Sequence, residues 1–233
     1  LTAFLEVQGV SKFFGGVRAV DGIDLAVEPG IICGIIGPNG SGKTTLLGLL
    51  SGTYRLDRGA IHLSGYRVDG KPAHRIVEAG IARTFQSTRL FFRWTLAANL
   101  AVASVGRAAA VNPEPLLALV GLEGRGHVLC TALSNAEQRL AMIAVALATR
   151  PRLLLLDEPA VGMSPAESGA LARVIRRIRD ELGAAVLIVE HNMHFMMGLA
   201  DRIMAMNTGR KLAEGTPAEV RRDPAVIAAY LGG

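Results

Sequence analysis

Residues Gly37–Thr45 read GPNGSGKTT, after the apolar run IICGII and ahead of the apolar segment TTLLGLL. A strand, a glycine-rich loop and a helix in that order leave few folds open, because the loop works only with both flanking elements in place. Glycines let successive backbone N–H groups converge on phosphate oxygens, and the helix opening at the end of the loop adds the positive end of its dipole. In the pattern G-x-x-x-x-G-K-T, Lys43 reaches the β- and γ-phosphates and the Thr44 hydroxyl is placed to ligate Mg²⁺. Gly37, Pro38, Asn39, Gly40, Ser41, Gly42, Lys43, Thr44 and Thr45 are therefore expected to hold the phosphates of a nucleoside triphosphate.

The rest of the chain follows the same grammar. RLLLLD and AAVLIVEH read as further buried strands beside helix-like segments, which predicts an α/β domain with a mixed, largely parallel core sheet. FLEVQGVSKFF and GIDLAVEPG alternate apolar and polar residues and predict an antiparallel β portion, while RIMAMNTGRKLAEGT predicts a hairpin turning at Asn207 to Gly209. Between Gln86 and Leu133 the pattern turns helical and alanine-rich, interrupted by VNPEP. The expected organisation is one domain over 1–233, with 1–86 and 150–233 forming the α/β core and about 87–149 an inserted helical subdomain.

A chain of 233 residues is long enough for one such domain and a large core. Half of the residues are hydrophobic, yet no stretch approaches the roughly 18 consecutive apolar residues of a membrane span, so the chain is not expected to cross a bilayer. Cys33 and Cys130 have no metal-ligand spacing, and no basic leader with an apolar segment opens the sequence; a reducing cytoplasm is the expected compartment. The net charge of +5 raises nucleic acid or an anionic membrane as partners. The arginines are scattered, however, and cluster only in RVIRRIRDE. There Val174, Ile175 and Ile178 predict the buried stripe of a helix, with Arg173, Arg176, Arg177 and Arg179 on its wet face. No nucleic-acid partner is expected.

Four residues outside the loop are candidates for the chemistry. The leucines of LLLLDEP deliver Asp157 to the carboxyl end of a strand, where a carboxylate can hold the magnesium shell, and Glu158 beside it is suited to polarise an attacking water. Gln86, in RTFQ, follows a predicted strand, and its amide can touch both the metal and the water. His191 ends AVLIVEH and from there can reach the γ-phosphate and hold the water with Glu158. Upstream of Asp157 lies LSNAEQRL. Ser134 with Glu137 three residues on predicts a capping box opening an amphipathic helix with Leu140, Ile143, Ala144 and Leu147 on its apolar side.

GPNGSGKTT, TFQ, LSNAEQ, LLLLDEP and VEH, in that order and over essentially the whole chain, resemble the ATP-binding cassette (ABC) ATPases. The resemblance implies a P-loop NTPase fold and Mg²⁺-dependent ATP hydrolysis by two cassettes packed head to tail. Each ATP then lies between one cassette's Lys43-type loop and the other's signature, here Ser134, Asn135, Ala136 and Glu137. It also implies that Phe14 stacks on adenine with Val20 beneath. Within the family, ARTFQSTRLF, VEHNMHFMMGLADRIMAMNTGRKLAEGTPAEV and DPAVIAAYLG resemble the larger cassette subunit of branched-chain amino acid importers; cassettes for urea, amides and exported lipopolysaccharide share much of this tail. The implied partners are a second cassette, transmembrane permease subunits and a solute-binding protein, and the implied location is the cytoplasmic face of the membrane.

Three departures from the family pattern stand out. The signature lacks both of its usual glycines, having Asn135 and Ala136; Ser164 stands where many cassettes have aspartate; and Val145 stands where arginine is usual. In the first turn of a helix Asn135 and Ala136 need only ordinary dihedrals, so what glycine would supply is clearance for the γ-phosphate. A symmetric dimer would have this altered signature in both sites, so a heteromeric pair is favoured and a homodimer stays possible. Phe85, Phe91, Phe92 and Trp94 gather around Gln86 and read equally as a groove for a partner helix or as subdomain core. An exporter cassette, a non-transport ABC ATPase acting on DNA or in translation, and a P-loop kinase remain as alternatives.

Overall fold

The computed structural model describes residues 3–105 and 112–231. Much of the alanine-rich run expected to be helical, together with Val111 of VNPEP, lies outside the described residues.

The chain opens with β1 (Leu5–Phe14) and β2 (Val17–Val27), then β3 (Ile32–Ile36) and α1 (Lys43–Leu50) on either side of the glycine loop. β4 (Arg58–Leu63) and β5 (Tyr66–Arg67) come next, and α2 (Ala73–Glu78) leads to β6 (Ile81–Arg83). Three helices, α3 (Leu96–Ala103), α4 (Pro113–Leu119) and α5 (Asn135–Leu147), precede β7 (Leu153–Asp157). The remainder runs α6 (Pro165–Leu182), β8 (Ala185–Val189), α7 (Met193–Leu199), β9 (Arg202–Asn207), β10 (Arg210–Gly215), α8 (Pro217–Arg222) and α9 (Pro224–Leu231).

Two sheets result. An antiparallel sheet has the order β2-β1-β4-β5, and a six-stranded sheet has the order β10-β9-β3-β8-β7-β6. In the second sheet β9, β3, β8, β7 and β6 run parallel and only β10 is antiparallel, giving the mixed, largely parallel α/β core expected of a P-loop NTPase. β3, β7 and β8 are buried at every position, which is why they read as unbroken apolar runs. Strand alternation divides their side chains between two cores. Leu154, Leu156, Val186 and Ile188 pack toward the face carrying α3, α4, α5, α6 and α7, and Leu153, Leu155, Leu187 and Val189 toward the face carrying α1 and the antiparallel sheet. Each such leucine contributes about 1.5–3 kcal/mol by leaving water.

The predicted hairpin turns on Thr208 and Gly209, with φ of 45° and 80°, the backbone of a tight two-residue turn. It packs on the glycine loop: Gly209 N donates to Ser41 O at 3.0 Å. α6 buries Val174, Ile175 and Ile178 as predicted, but its arginines are not simply solvated. Arg177 donates to the carbonyls of Ala118 and Leu119 at the end of α4, and Arg179 pairs with Asp201. All four arginines stay on the wet face, Arg173 and Arg177 exposed and Arg176 and Arg179 half-buried. Among the described residues, no helix is long and apolar enough to cross a membrane.

Candidate functional site

The parallel register brings the carboxyl ends of β3, β7 and β8 to one edge, where open α/β sheets bind ligands. The glycine loop leaves β3, with positive φ at Gly40 (78°) and Gly42 (99°). At Gly42 glycine is needed twice over, for that dihedral and because a β-carbon would collide with the Ala19 carbonyl. Lys43 Nζ bends back over the loop, donating to Gly37 O at 2.8 Å, Pro38 O at 2.9 Å and Ser41 Oγ at 3.3 Å. Burial lowers its pKa, against the opposing pull of Glu158 and Asp157. Asn39 to Thr45, with Val17, Arg18, Ala19, Glu158 and Thr208, line a cavity of about 390 Å³.

Asp157 ends β7 and its two oxygens have different neighbours. Oδ1 lies 3.4 Å from Thr44 Oγ1, and Oδ2 accepts from Arg83 Nη2 at 2.8 Å. Among the described residues no cluster of three or more His, Cys, Asp or Glu could hold a metal ion. A hydroxyl and one carboxylate oxygen side by side instead match the Mg²⁺ habit of taking one or two protein oxygens and completing its shell with phosphate and water. The residues present therefore fit the ion.

Glu158 follows with φ of 47°, an uncommon backbone for a non-glycine residue and of the kind that gathers at functional sites. Its N–H donates to Val189 O at 2.9 Å, which ties the strained residue to β8. Its Oε2 accepts from Gln86 Nε2 at 2.8 Å, and its Oε1 lies 4.0 Å from His191 Nδ1. The structure thus brings Lys43, Thr44, Asp157, Glu158, Gln86 and His191 together from positions up to 148 residues apart. Below them Glu190 is buried, accepting from Ala160 N at 2.8 Å and His191 N at 3.2 Å, and burial raises its pKa.

Phe14 stands exposed at the end of β1, its ring edge-on to Tyr54. Val20 corrects the expectation: it is fully buried in the core beneath, and the cavity wall on that side is Val17, Arg18 and Ala19.

Ser134 caps α5 through the predicted capping box, its Oγ accepting from Glu137 N and the Glu137 carboxylate accepting from Ser134 N at 2.8 Å. Asn135 and Ala136 are the first two residues of the helix. They border a second cavity of about 620 Å³ with Gln86, Ser134, Arg139 and Val161 to Met163, separate from the Lys43 cavity. Ser164, one of the departures, caps α6 in another capping box with Glu167.

The four aromatics are all 36–54% exposed, so none is subdomain core. Phe91 and Trp94 stack on each other at 5.0 Å. Phe85 alone of the four lines a groove of about 220 Å³, with Ala82, Arg83, Arg89, Met142 and Val145 among its walls. Sequence reasoning missed Arg83, Arg139 and Glu190. A charged residue at the end of a buried strand, as at Arg83 and beside Glu190, was the signal for two of them.

A profile of the ABC transporter family matches residues 20–161, and one described as branched-chain amino acid ATP-binding cassette transporter matches residues 210–233. The chain is 39% identical over 248 aligned residues to the high-affinity branched-chain amino acid transport ATP-binding protein BraF of Pseudomonas aeruginosa, covering 98% of this chain and 97% of BraF. It is 37% identical to LivG of Escherichia coli (strain K12), which bears the same description, with the same coverage. Among solved structures, the ADP conformation of MJ1267, an ATP-binding cassette of an ABC transporter, superposes with a TM-score of 0.92 at 25% identity over the whole of both chains.

Proposed function

The chain belongs to the ABC transporter family, and we propose that it is the ATP-hydrolysing subunit of an importer for branched-chain amino acids or a related small polar solute. The observation that carries the chemistry is the convergence of Lys43, Asp157, Glu158, Gln86 and His191 at one sheet edge. The full-length likeness to BraF and LivG supports the solute class.

In this reading the loop amides and Lys43 bind the triphosphate, the ammonium exchanging the carbonyls of Gly37 and Pro38 for phosphate oxygens. Thr44 and Asp157 would hold Mg²⁺, which would supply neutralisation of the phosphate charge. Glu158 polarises the attacking water through Oε1, because Gln86 occupies Oε2. His191 flanks the same oxygen and steadies the γ-phosphate. Phe14, exposed and paired in the sheet with Val17 of the cavity wall, stacks on the base.

The α5 N-terminus, with Ser134, Asn135, Ala136 and Glu137, faces ATP held by a second cassette, which is why it borders a cavity separate from its own Lys43. A heteromeric pair is the favoured assembly. Residues 1–86 and 150–233 act as the nucleotide-binding core and about 87–149 as the helical part, whose groove beside Phe85 receives a short helix of the membrane subunits. The cassette then sits peripherally on the cytoplasmic face, with a solute-binding protein delivering substrate.

Co-expression with candidate membrane subunits and the second cassette, reconstitution in liposomes, and assay of ATPase with and without loaded binding protein test this. Leucine-class amino acids should stimulate hydrolysis and accumulate inside. An assembled transporter that hydrolyses ATP but moves solute outward, or none of this class, overturns the importer reading.

A further inference from the structure

Arg83 takes part in none of the steps above, yet its side chain joins the groove to the nucleotide edge. It is the last residue of β6, three before Gln86, and its side chain is only 7% exposed. Nη2 donates to Asp157 Oδ2 at 2.8 Å and Nη1 to Ser51 Oγ at 3.1 Å, the cap residue of the helix that begins at Lys43. On its other side the guanidinium lies 5.0 Å from the centroid of the Phe85 ring, which also receives Arg89 at 5.3 Å. Arg83, Phe85 and Arg89 all line the groove.

We propose that Arg83 is a positioning residue that reserves one oxygen of Asp157 for the metal side and carries the state of the groove to it. The proposal rests on the reading that Asp157 serves Mg²⁺ and that the groove takes a membrane-subunit helix. A carboxylate at a strand end can rotate and offer either oxygen. With Oδ2 held by the guanidinium, Oδ1 is the one left beside Thr44 Oγ1. The guanidinium fork spans Asp157 and Ser51 together, which a lysine ammonium at the same place cannot do with fixed geometry. A helix pressing on Phe85 bears directly on the plane that stacks with Arg83, so one side chain separates the docking surface from the carboxylate. The Nε–H of Arg83 is buried without a partner among the described residues, so the guanidinium is held from its Nη side alone.

The test compares wild type, Arg83→Lys, Arg83→Gln and Ser51→Ala, as the isolated chain and in the assembled transporter. A fluorescent ATP analogue is titrated with EDTA and with Mg²⁺, and melting temperatures are taken on the same samples. In the isolated chain the affinity without Mg²⁺ should stay within about twofold, while the gain supplied by Mg²⁺ should fall about fivefold or more in Arg83→Gln and less in Arg83→Lys. Ser51→Ala, which removes one acceptor and no charge, should lower that gain about twofold and serves if Arg83→Gln does not fold. On assembly, wild type should need less Mg²⁺ for half-maximal binding, and Arg83→Lys should lose that shift.

Folded variants with an unchanged Mg²⁺ gain overturn the hold on Asp157. A wild type that assembles with no shift, or an Arg83→Lys shift equal to wild type, overturns the link to the groove. A wild type whose nucleotide affinity ignores Mg²⁺, or that fails to assemble, counts instead against the functional reading and withdraws the proposal with it.

Discussion

Gln86 Nε2 donates to Glu158 Oε2 at 2.8 Å, and the backbone carbonyl of the same Gln86 accepts from Arg139 Nη1 at 2.8 Å. Arg139 lies on α5, the helix whose first turn is Asn135 and Ala136. One residue therefore touches both the carboxylate proposed to activate water and the helix proposed to face the partner's ATP.

Glu158→Gln should keep ATP binding and lower hydrolysis by roughly 10²-fold or more, since it removes the carboxylate proposed to activate water and leaves the phosphate loop intact. Lys43→Ala should weaken nucleotide binding itself, because its Nζ is the cation poised over the loop. Single-turnover hydrolysis and equilibrium binding separate the two effects. A wild-type rate for Glu158→Gln in the assembled transporter would remove Glu158 from its role.

Trp94→Ala or Phe92→Ala should change thermal stability little, because both rings are exposed and truncation leaves no sealed cavity. Association with the membrane subunits should weaken more than ATP affinity, as large aromatics dominate interfaces. Pull-down yield, melting temperature and nucleotide affinity on the same proteins decide this. Undiminished pull-down by a folded variant leaves these two rings outside the docking surface, which then narrows to the groove beside Phe85.

Changing Asn135 and Ala136 together to glycine should speed the partner's site by relieving crowding at the first turn of α5. Glycine costs roughly 1 kcal/mol per interior helical position, so part of the gain is offset by a weaker helix start. ATPase measured with each cassette's catalytic glutamate disabled in turn isolates the two sites. Equal residual rates, unmoved by the glycines, would mean the altered signature has no kinetic consequence.

Hydrogen bonds from Ser134, the backbone one foremost, and the Arg125 guanidinium hold the Glu137 carboxyl below the ordinary glutamate value of 4.5. A carboxylate with a depressed folded pKa stabilises the fold fully above its unfolded value, and that stability is lost as pH falls through the folded value. Glu137→Gln should therefore lower the melting temperature at pH 7 and match wild type only at the acid end, once the pH has fallen well below the depressed folded value. Ser134→Ala should cost about 1 kcal/mol at neutral pH. Parallel denaturant melts at both pH values check the pair; equal losses for Glu137→Gln at the two pH values would show that its charge contributes nothing.

Local signals in the chain were sufficient for the elements and for much of the candidate site. The loop Gly37–Thr45, the buried runs ending at Asp157 and near His191, the turn at Thr208 and Gly209, and the capping box of Ser134 with Glu137 each depend on neighbours within a few residues. Such local preferences are written in residue order and can be read there. Contacts across the sheet cannot be, because strand order and register decide which distant residues meet. That Arg83 closes on Asp157 and that Gln86 holds Glu158 were decided by β6 and β7 lying side by side, that Val20 turns into the core by the packing of β2 in the antiparallel sheet, and that Phe85 lines a groove with Val145 by α5 packing beside β6. The physical reason is pairing. An isolated arginine or glutamine has no preferred partner until the packed sheet removes water and leaves one within reach.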